Sequence, residues 1–316
     1  LRKVVEEETG VTPFITIDQE GGVVTRLPES EVNIPGAMAV AATGNPRNAY
    51  DMGLLTAQEL RSCGVDFNLA PVMDINCNPD NPVIGVRSYG DTPERVAEYG
   101  SQMVRGLLDG GVYCSLKHFP GHGDTAVDSH IGLPCVDKDL PALEACELLP
   151  FRAAIKGGIP AIMSSHILFP RLEPDGVPAT MSRRIMHDLL RGQLGFDGLI
   201  LSDCMCMDAI QRHYGTPQGA LAAMNAGVDL VFVSSNETLQ RETAEYLRAA
   251  AQEGRLDETQ AQASMERILR AKERYAFTSA QPELVGLIPD REAAEWMLRR
   301  VQRVVLWPRR HAHARA

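Results

Sequence analysis

Residues 117–130, KHFPGHGDTAVDSH, concentrate side chains that transfer protons or bind metal ions. Asp128 and His130 are two positions apart, so in an extended segment both side chains project to the same side. The carboxylate can then accept the ring N–H, fix the tautomer of the imidazole and hold its proton near neutral pH. This pattern is typical of a general acid/base, although many D-x-H pairs only cap loops.

The same residues also permit a metal-site interpretation, because dinuclear hydrolases use clustered histidines and aspartates. The candidate ligands are His118, His122, Asp124, Asp128 and His130. Their spacing contains neither H-x-H nor H-E-x-x-H, and Lys117 would place a positive charge beside the ions. The sequence therefore favours proton transfer, and we expect neither a metal ion nor an organic cofactor.

A second candidate for chemistry is Asp203, which ends the apolar segment GLILSD at residues 198–203. A carboxylate in this position is either a buried hydrogen-bond acceptor that stabilises the fold or a nucleophile. Asp203 with a proton donor across the site would reproduce the arrangement of a retaining glycosidase, with His130 in place of the second carboxylic acid.

Six apolar segments must position these residues, and a helical pattern or a long loop separates each segment from the next. Several are continuous rather than alternating, which is typical of parallel strands buried on both faces. They cover residues 13–18, 66–75, 114–119, 161–167, 198–203 and 229–235. Helical patterns cover residues 48–64, 92–111, 237–254 and 258–276. The alternation predicts a parallel α/β sheet.

Nearly every predicted strand ends in polar residues that can bind or react. They are Asp18, Asp74, Lys117, His118, Ser165, His166, Asp203, Ser234 and Ser235. In a (β/α)8 TIM-type barrel such strand ends converge on one face, whereas an open doubly wound sheet would concentrate them at one switch point. No G-x-G-x-x-G follows a strand, so the barrel is favoured. Six strands are two fewer than the barrel needs, and we expect the first two to precede Leu1, where LRKVVEEETG resembles the end of a helix.

Five motifs together carry a family resemblance. They are DQEGGVVTRL at 18–27, IGVRSYGDTP at 84–93, KHFPGHGDTAVDSH at 117–130, MSSHILFP at 163–170 and SDCMCM at 202–207. In this order they closely resemble family 3 glycoside hydrolases of the β-N-acetylglucosaminidase branch. The resemblance implies a catalytic barrel domain over residues 1–276, followed at 277–316 by a tail or the truncated start of a second domain.

The resemblance also implies roles for individual residues. It makes Asp203 the nucleophile, His130 the general acid/base and Asp128 the dyad partner of that histidine. The residues that match contacts to sugar hydroxyls are Asp18, Arg26, Arg87, Lys117 and His118. The remaining positions, which line the site or pack beneath the nucleophile, are Asp74, Ser165, His166 and Met207.

Taken one at a time, three of these residues have structural alternatives. Asp18 can cap the EGG turn, the Arg87 side chain can lie over a helix, and Lys117 can pair with a structural carboxylate. Their common location at converging strand ends favours the functional interpretation.

The implied activity is that of a retaining exo-β-N-acetylglucosaminidase acting on sugars derived from peptidoglycan or chitin through a covalent glycosyl-aspartate. Three alternatives stay open. A β-glucosidase or xylosidase of the same family usually takes its acid/base from a later domain and lacks the GHGDT…DSH loop. A phosphorylase would transfer the sugar to phosphate, and a catalytically silent sugar-binding barrel would show no turnover.

Composition and charge narrow the function classes further. The 316 residues are 44% hydrophobic and carry a net charge of −10, which disfavours binding to nucleic acid or anionic membranes. No apolar run reaches the ~18 residues of a membrane span. The seven cysteines stand mostly in apolar contexts and predict buried free thiols, a reducing compartment and a cytoplasmic location. We expect a small carbohydrate as the partner and a monomer or homodimer.

Overall fold

The six apolar segments form six short strands in the computed structural model, which describes residues 2–27, 33–126 and 132–275. The strands are β1 (Thr16–Ile17), β2 (Phe67–Asn68), β3 (Tyr113–Phe119), β4 (Ala161–Ser164), β5 (Leu199–Cys204) and β6 (Leu230–Phe232). Each strand overlaps its predicted segment. The predicted tail at 277–316 lies outside the described residues.

All strand pairs described are parallel, and strands that follow one another in the chain are neighbours in the sheet. The chain divides into two compact units. Of the described residues, the first unit contains 2–27, 33–73, 86–115 and 272–275. In this unit β1 pairs with β2, and β2 pairs with the first residues of β3.

Of the described residues, the second unit contains 74–85, 116–126 and 132–271. Here β4 pairs with β5 and β5 with β6. The backbone N–H of Ser165, just after β4, donates a 2.9 Å hydrogen bond to the carbonyl oxygen of Phe119 at the end of β3. The prediction of a parallel α/β sheet is therefore confirmed.

Ten α-helices in the described residues precede, connect or follow the strands. They are α1 (Arg2–Thr9), α2 (Ala37–Ala41), α3 (Arg47–Ser62), α4 (Pro93–Asp109), α5 (Leu140–Ala145), α6 (Leu148–Lys156), α7 (Asp208–Gln211), α8 (Thr216–Ala226), α9 (Glu237–Gln252) and α10 (Glu258–Tyr275). A π-helix at Arg184–Gln193 precedes β5, and Ala179–Met181 form a 3-10 turn. The four predicted helices correspond to α3, α4, α9 and α10.

Helix α4 begins where its sequence provides the usual start signals. Thr92 is extended at the N-cap position and Pro93 lies in the first turn, where its missing N–H is not needed. Glu94, also in the first turn, places a negative charge near the positive end of the helix dipole.

Helices α3 and α4 of the first unit pack closely because two glycines face each other. A Cβ on Gly53 would lie 2.4 Å from the carbonyl oxygen of Met103. A Cβ on Gly106 would lie 2.1 Å from the carbonyl oxygen of Tyr50. Even alanine at either position would therefore force the two helices apart.

The core of the second unit surrounds its central strands. Every residue of β4 is buried, as are the first four residues of β5. Phe119 at the end of β3 and Phe151 in α6 are fully buried and meet edge to face, with ring centroids 5.3 Å apart. Burying one such ring contributes about 2 to 3 kcal/mol. This packing holds the polar ends of the strands in place.

The structure also tests two further expectations, that the cysteine thiols are buried and that the chain has no membrane span. All seven cysteines are free thiols, but the expectation that they are mostly buried is wrong, since only Cys114 is buried. Cys63 and Cys135 are exposed, because one directly follows the end of α3 and the other forms an isolated bridge to Leu168 outside the six strands, where the chain faces solvent. Of the helices in the described residues, none is long and apolar enough to cross a membrane.

Candidate functional site

The ends of β3, β4 and β5 bring predicted site residues together in the second unit. Lys117 and His118 lie near the end of β3, His166 follows β4, and Asp203 is the last residue but one of β5. These strands are parallel, so their carboxyl ends lie along one edge of the sheet. The Nε2 atom of His166 lies 3.1 Å from the carbonyl oxygen of Cys204, which joins the end of β4 to that of β5.

Asp74 is a buried carboxylate that organises the histidines of the KHFPGHGD segment. Its Oδ2 lies 2.7 Å from Nδ1 of His118, and its Oδ1 accepts a 2.7 Å hydrogen bond from the backbone N–H of His122. Burial alone would raise the pKa of Asp74, but the charge and hydrogen bond of His118 outweigh it, so the pKa is lowered. The ionised carboxylate keeps a proton on Nδ1 of His118 and orients that ring.

His122 lies buried beside His118, and the two ring centroids are 5.5 Å apart. Its Nδ1 is 2.7 Å from Oγ1 of Thr125. Burial, followed by the charge of His118, lowers the pKa of His122 to about 4, so the ring is uncharged at neutral pH. Gly123 permits this path of the loop, because a Cβ there would lie 1.6 Å from the carbonyl oxygen of Ile75.

Asp203 is the candidate nucleophile of the cluster. It is partly exposed, and its Oδ1 accepts a 2.7 Å hydrogen bond from the backbone N–H of Cys204. Burial of the carboxyl group would raise its pKa, but the positive charges of His166 and His118 lower it by more. The N–H of Cys204 and the charge of Lys117 act in the same direction. A carboxylate that is ionised and partly accessible is suited to nucleophilic attack.

Ser165 and Met207 have mainly structural contacts in the same region. The Oγ of Ser165 donates a 3.0 Å hydrogen bond to the carbonyl oxygen of Phe119. The backbone N–H of Met207 donates a 3.1 Å hydrogen bond to the carbonyl oxygen of Cys204, and its side chain is buried. Both contacts fix the chain where it leaves a strand.

The first unit contains Asp18, Arg26 and Arg87, close to or within the DQEGG segment. Asp18 follows β1 directly and is partly exposed. Arg87 forms two 2.8 Å hydrogen bonds with the carboxylate of Glu20, which fixes its guanidinium. The side chain of Gln19 accepts a 2.8 Å hydrogen bond from the backbone N–H of Arg26, whose own side chain is exposed. The sugar-binding roles of the three predicted residues stay predictions.

The predicted acid/base pair, Asp128 and His130, lies outside the described residues, and its role also stays a prediction. The metal-site alternative used both residues together with His118, His122 and Asp124. Of these three, the histidines bond to Asp74 and Thr125, and Asp124 bonds to Lys138.

Another trio in the described part of the chain, Cys77, Asp124 and Glu147, places possible metal ligands within 4.8 Å of one another. The ammonium of Lys138 already bonds to both carboxylates, at 2.8 Å from Asp124. Burial raises the pKa of the Cys77 thiol to about 11, which disfavours the thiolate. The lysine therefore supplies the positive charge that a metal ion would supply.

Sequence reasoning missed partners that hold the site residues. Thr180, whose Oγ1 lies 3.0 Å from Nδ1 of His166, stands in a 3-10 turn and carries no pattern that would reveal it. Glu20, the partner of Arg87, lies inside the DQEGG motif, where a second acid beside Asp18 was a signal that could have been used.

Known proteins share this architecture and sequence. Residues 1–271 match the family described as "Glycosyl hydrolase family 3 N terminal domain". A beta-hexosaminidase A from Pseudoalteromonas piscicida is 37% identical over 288 residues, which cover 84% of this chain and 48% of that protein. A beta-hexosaminidase from Alkalilimnicola ehrlichii is 39% identical over 229 residues, which cover 71% of this chain and 65% of that protein.

A solved structure is also similar. It is that of a glycoside hydrolase family 3 beta-N-acetylglucosaminidase from Paenibacillus sp. str. FPU-7, with a TM-score of 0.89 and 43% identity, and the match covers 96% of this chain and 57% of that one. The chain thus spans between 48% and 65% of the length of these three relatives. The N-terminal domain of the family is a TIM-barrel-like fold, so the expected fold class is confirmed.

Proposed function

Because this chain belongs to glycosyl hydrolase family 3, we propose that it is the barrel domain of a β-N-acetylglucosaminidase. Its activity is the hydrolysis of terminal β-linked N-acetylglucosamine from fragments of peptidoglycan or chitin. The relatives described above carry the names beta-hexosaminidase and beta-N-acetylglucosaminidase, which supports this sugar over glucose or xylose.

The observation that carries the proposal is the state of Asp203. Its carboxylate stands at the end of β5, partly exposed, and neighbouring positive charges lower its pKa in spite of burial. A nucleophile in a retaining glycosidase must be ionised before it attacks the anomeric carbon. Asp203 meets that requirement at neutral pH.

Two steps complete the reaction. In the first, an oxygen of Asp203 bonds to the anomeric carbon, the bond from that carbon to the leaving oxygen breaks, and the imidazolium of His130 gives its proton to the leaving oxygen. In the second, His130 takes a proton from water, the resulting oxygen bonds to the anomeric carbon, and the ester bond to Asp203 breaks. Asp128 would orient the imidazole throughout.

In this proposal, Lys117 and His118 bind the hydroxyl groups of the sugar. Both lie near the end of β3, the strand end that also brings positive charge to Asp203. Hydrogen bonds to hydroxyls that strengthen as the ring approaches the transition state raise the rate rather than only the affinity. Asp74 contributes indirectly, through the orientation of His118.

The experiment is an assay of the chain with nitrophenyl N-acetylglucosaminide and nitrophenyl glucoside, each with and without inorganic phosphate. We expect turnover of the N-acetylglucosaminide and little of the glucoside. Release of sugar 1-phosphate in phosphate buffer would show that phosphate competes with water as the acceptor. This is expected because the imidazole of His130 is neutral after it donates its proton and does not repel the phosphate anion. A preference for the glucoside would overturn the proposed substrate.

His130→Ala tests the acid/base role in the same assay. The variant should lose far more activity on a substrate with a poor leaving group, such as chitobiose, than on the nitrophenyl glycoside, whose leaving group needs little protonation. Equal losses on both substrates would contradict that role. A chain without any turnover, whether altered or not, would support a sugar-binding module instead.

A further inference from the structure

Each ring nitrogen of His166 has a hydrogen-bond partner among the residues around Asp203. Its Nε2 lies 3.1 Å from the carbonyl oxygen of Cys204, and its Nδ1 lies 3.0 Å from Oγ1 of Thr180. The residue is 1% exposed, so these partners determine which ring nitrogens carry protons.

These partners allow one assignment of protons that satisfies the contacts of both ring nitrogens. The carbonyl oxygen of Cys204 only accepts, so Nε2 of His166 carries a proton. The Oγ1 of Thr180 lies 2.8 Å from the carbonyl oxygen of Ser165, and two oxygens at this distance repel unless a proton lies between them. The single hydroxyl proton of Thr180 therefore points to Ser165, and Oγ of Ser164, also at 2.8 Å, donates its own. Nδ1 of His166 must then donate to Thr180 as well.

We propose that His166 is held as an imidazolium, with a proton on each ring nitrogen, and is a positioning residue that keeps the Asp203 carboxylate ionised. The inference deepens the proposed function and rests on it, because the charge has its task in glycosyl transfer to Asp203. It gives a specific role to a residue that the sequence placed only at the edge of the site.

The other titratable groups described near Asp203 are compatible with a positive charge on His166. They are Lys117 and His118 of β3, Asp74, which bonds to His118, and His122, which is neutral at neutral pH. The carboxylate of Asp74 balances the ring of His118 across a 2.7 Å hydrogen bond. Among the described residues, the positive charges that act on Asp203 are those of His166, His118 and Lys117, with His166 the largest.

The imidazolium acts differently in the two steps of the reaction. When Asp203 bonds to the anomeric carbon, its negative charge disappears and His166 loses its counter-charge. Hydrolysis of the glycosyl-enzyme restores the carboxylate, so the charge of His166 favours the departure of Asp203 in the second step. Removal of the charge should therefore make the glycosyl-enzyme accumulate.

The first measurement needs no substrate. In the chain labelled with ¹⁵N-histidine, the signals of His166 are identified by their loss in His166→Gln. We expect two protonated ring nitrogens at neutral pH. Thr180→Val, which removes the acceptor, should release the proton from Nδ1, and Thr180→Ser, which restores a hydroxyl, should regain it. A neutral ring in the unaltered chain overturns the proposal, even if Thr180→Val fails to fold.

The second measurement follows Asp203 itself. Its carboxyl ¹³C signal, identified by its loss in Asp203→Asn, should titrate at higher pH in His166→Gln than in the unaltered chain. Turnover of the nitrophenyl N-acetylglucosaminide by His166→Gln should fall by a larger factor at pH 5 than at pH 8, because the pKa of Asp203 rises, and a burst of nitrophenol should appear. Equal losses at both pH values with an unmoved carboxyl titration contradict the proposal. If the unaltered chain has no turnover, the hydrolase proposal fails, while the two NMR titrations still decide the charge of His166 and its effect on Asp203.

Discussion

Two aspartates of the second unit lie at opposite ends of the β5–β6 pair, in different surroundings. Asp229 comes just before β6 and is buried, whereas Asp203 lies near the end of β5 and is partly exposed. Asp229 accepts four hydrogen bonds. They come from the backbone N–H of Ile200, Oγ of Ser264 and the guanidinium groups of Arg191 and Arg267. These donors fill the roughly four acceptor positions that a carboxylate offers.

Asp203 accepts one hydrogen bond among the described residues, from the N–H of Cys204. The groups that lower its pKa act through their charge rather than through further bonds to its oxygens. Acceptor positions are therefore left for a substrate. In parallel α/β folds the carboxyl ends of the strands serve reactions and the opposite ends serve stability. The number of hydrogen bonds that an aspartate at a strand end already accepts separates the two roles.

The largest expected effect is a loss of activity, and it appears when Asp203 and Asp229 are each replaced by asparagine. Asp203→Asn removes the nucleophile and should lower kcat/KM on N-acetylglucosaminides by about 10⁴-fold, because an amide does not attack the anomeric carbon. Its carbonyl oxygen can still accept from Cys204, so the free energy of unfolding should change less than in Asp229→Asn. If Asp203→Asn kept activity within tenfold of the unaltered chain, Asp203 would not be the nucleophile. The contrast between a reactive Asp203 and a structural Asp229 would then fail.

Asp229→Asn should show the reverse pattern. It removes the ion-pair partner of Arg191, whose side chain is only 10% exposed, and leaves Arg267, at 17% exposure, with only Asp197 at 3.5 Å. Breaking a buried ion pair in this way lowers the free energy of unfolding by about 3 to 5 kcal/mol. The fraction that still folds should keep its kcat/KM. Urea denaturation and active-site titration measure the two quantities separately, and a stable but inactive variant would contradict the structural role of Asp229.

Much of the fold and part of the site follow from local sequence. Continuous apolar segments predict the six strands, and Thr92 with Pro93 marks the start of α4, because propensity and burial act over a few residues. Asp203 and Lys117 are identifiable from their place at strand ends.

The hydrogen-bond partners could not be predicted, because they come from distant parts of the chain. Asp229 looks in sequence like any polar residue before a strand, yet its partner Arg267 is 38 residues away. Asp74 and His118, 44 residues apart, are likewise joined only by the packing of the second unit. No period or spacing in the sequence indicates which of the two aspartates has all its hydrogen-bond acceptor positions occupied.

The smallest expected effect is a fall in the free energy of unfolding under acid conditions, caused by a histidine near Asp203. His122 is buried and its pKa is lowered to about 4, whereas in the unfolded chain histidine titrates near 6.5. Between these two pH values the unfolded chain binds a proton that the folded chain does not, so acidification favours unfolding. The loss should amount to roughly 2 to 3 kcal/mol as pH falls from 6.5 to 4. The contribution of Asp74, whose pKa is lowered, disappears only at still lower pH.

His122→Asn keeps a polar group near Thr125 but does not titrate, so its free energy of unfolding should fall less steeply over the same pH range. His213→Asn is the matched control, because His213 is exposed and its removal should leave the slope unchanged. Denaturation in urea at several pH values measures all three slopes. Equal slopes for His122→Asn and the unaltered chain would mean that His122 takes up its proton in the folded state. The residues around Asp203 would then carry one more positive charge, on His122. The surroundings of Asp203 and of Asp229, which bonds to two arginines, would differ less in charge.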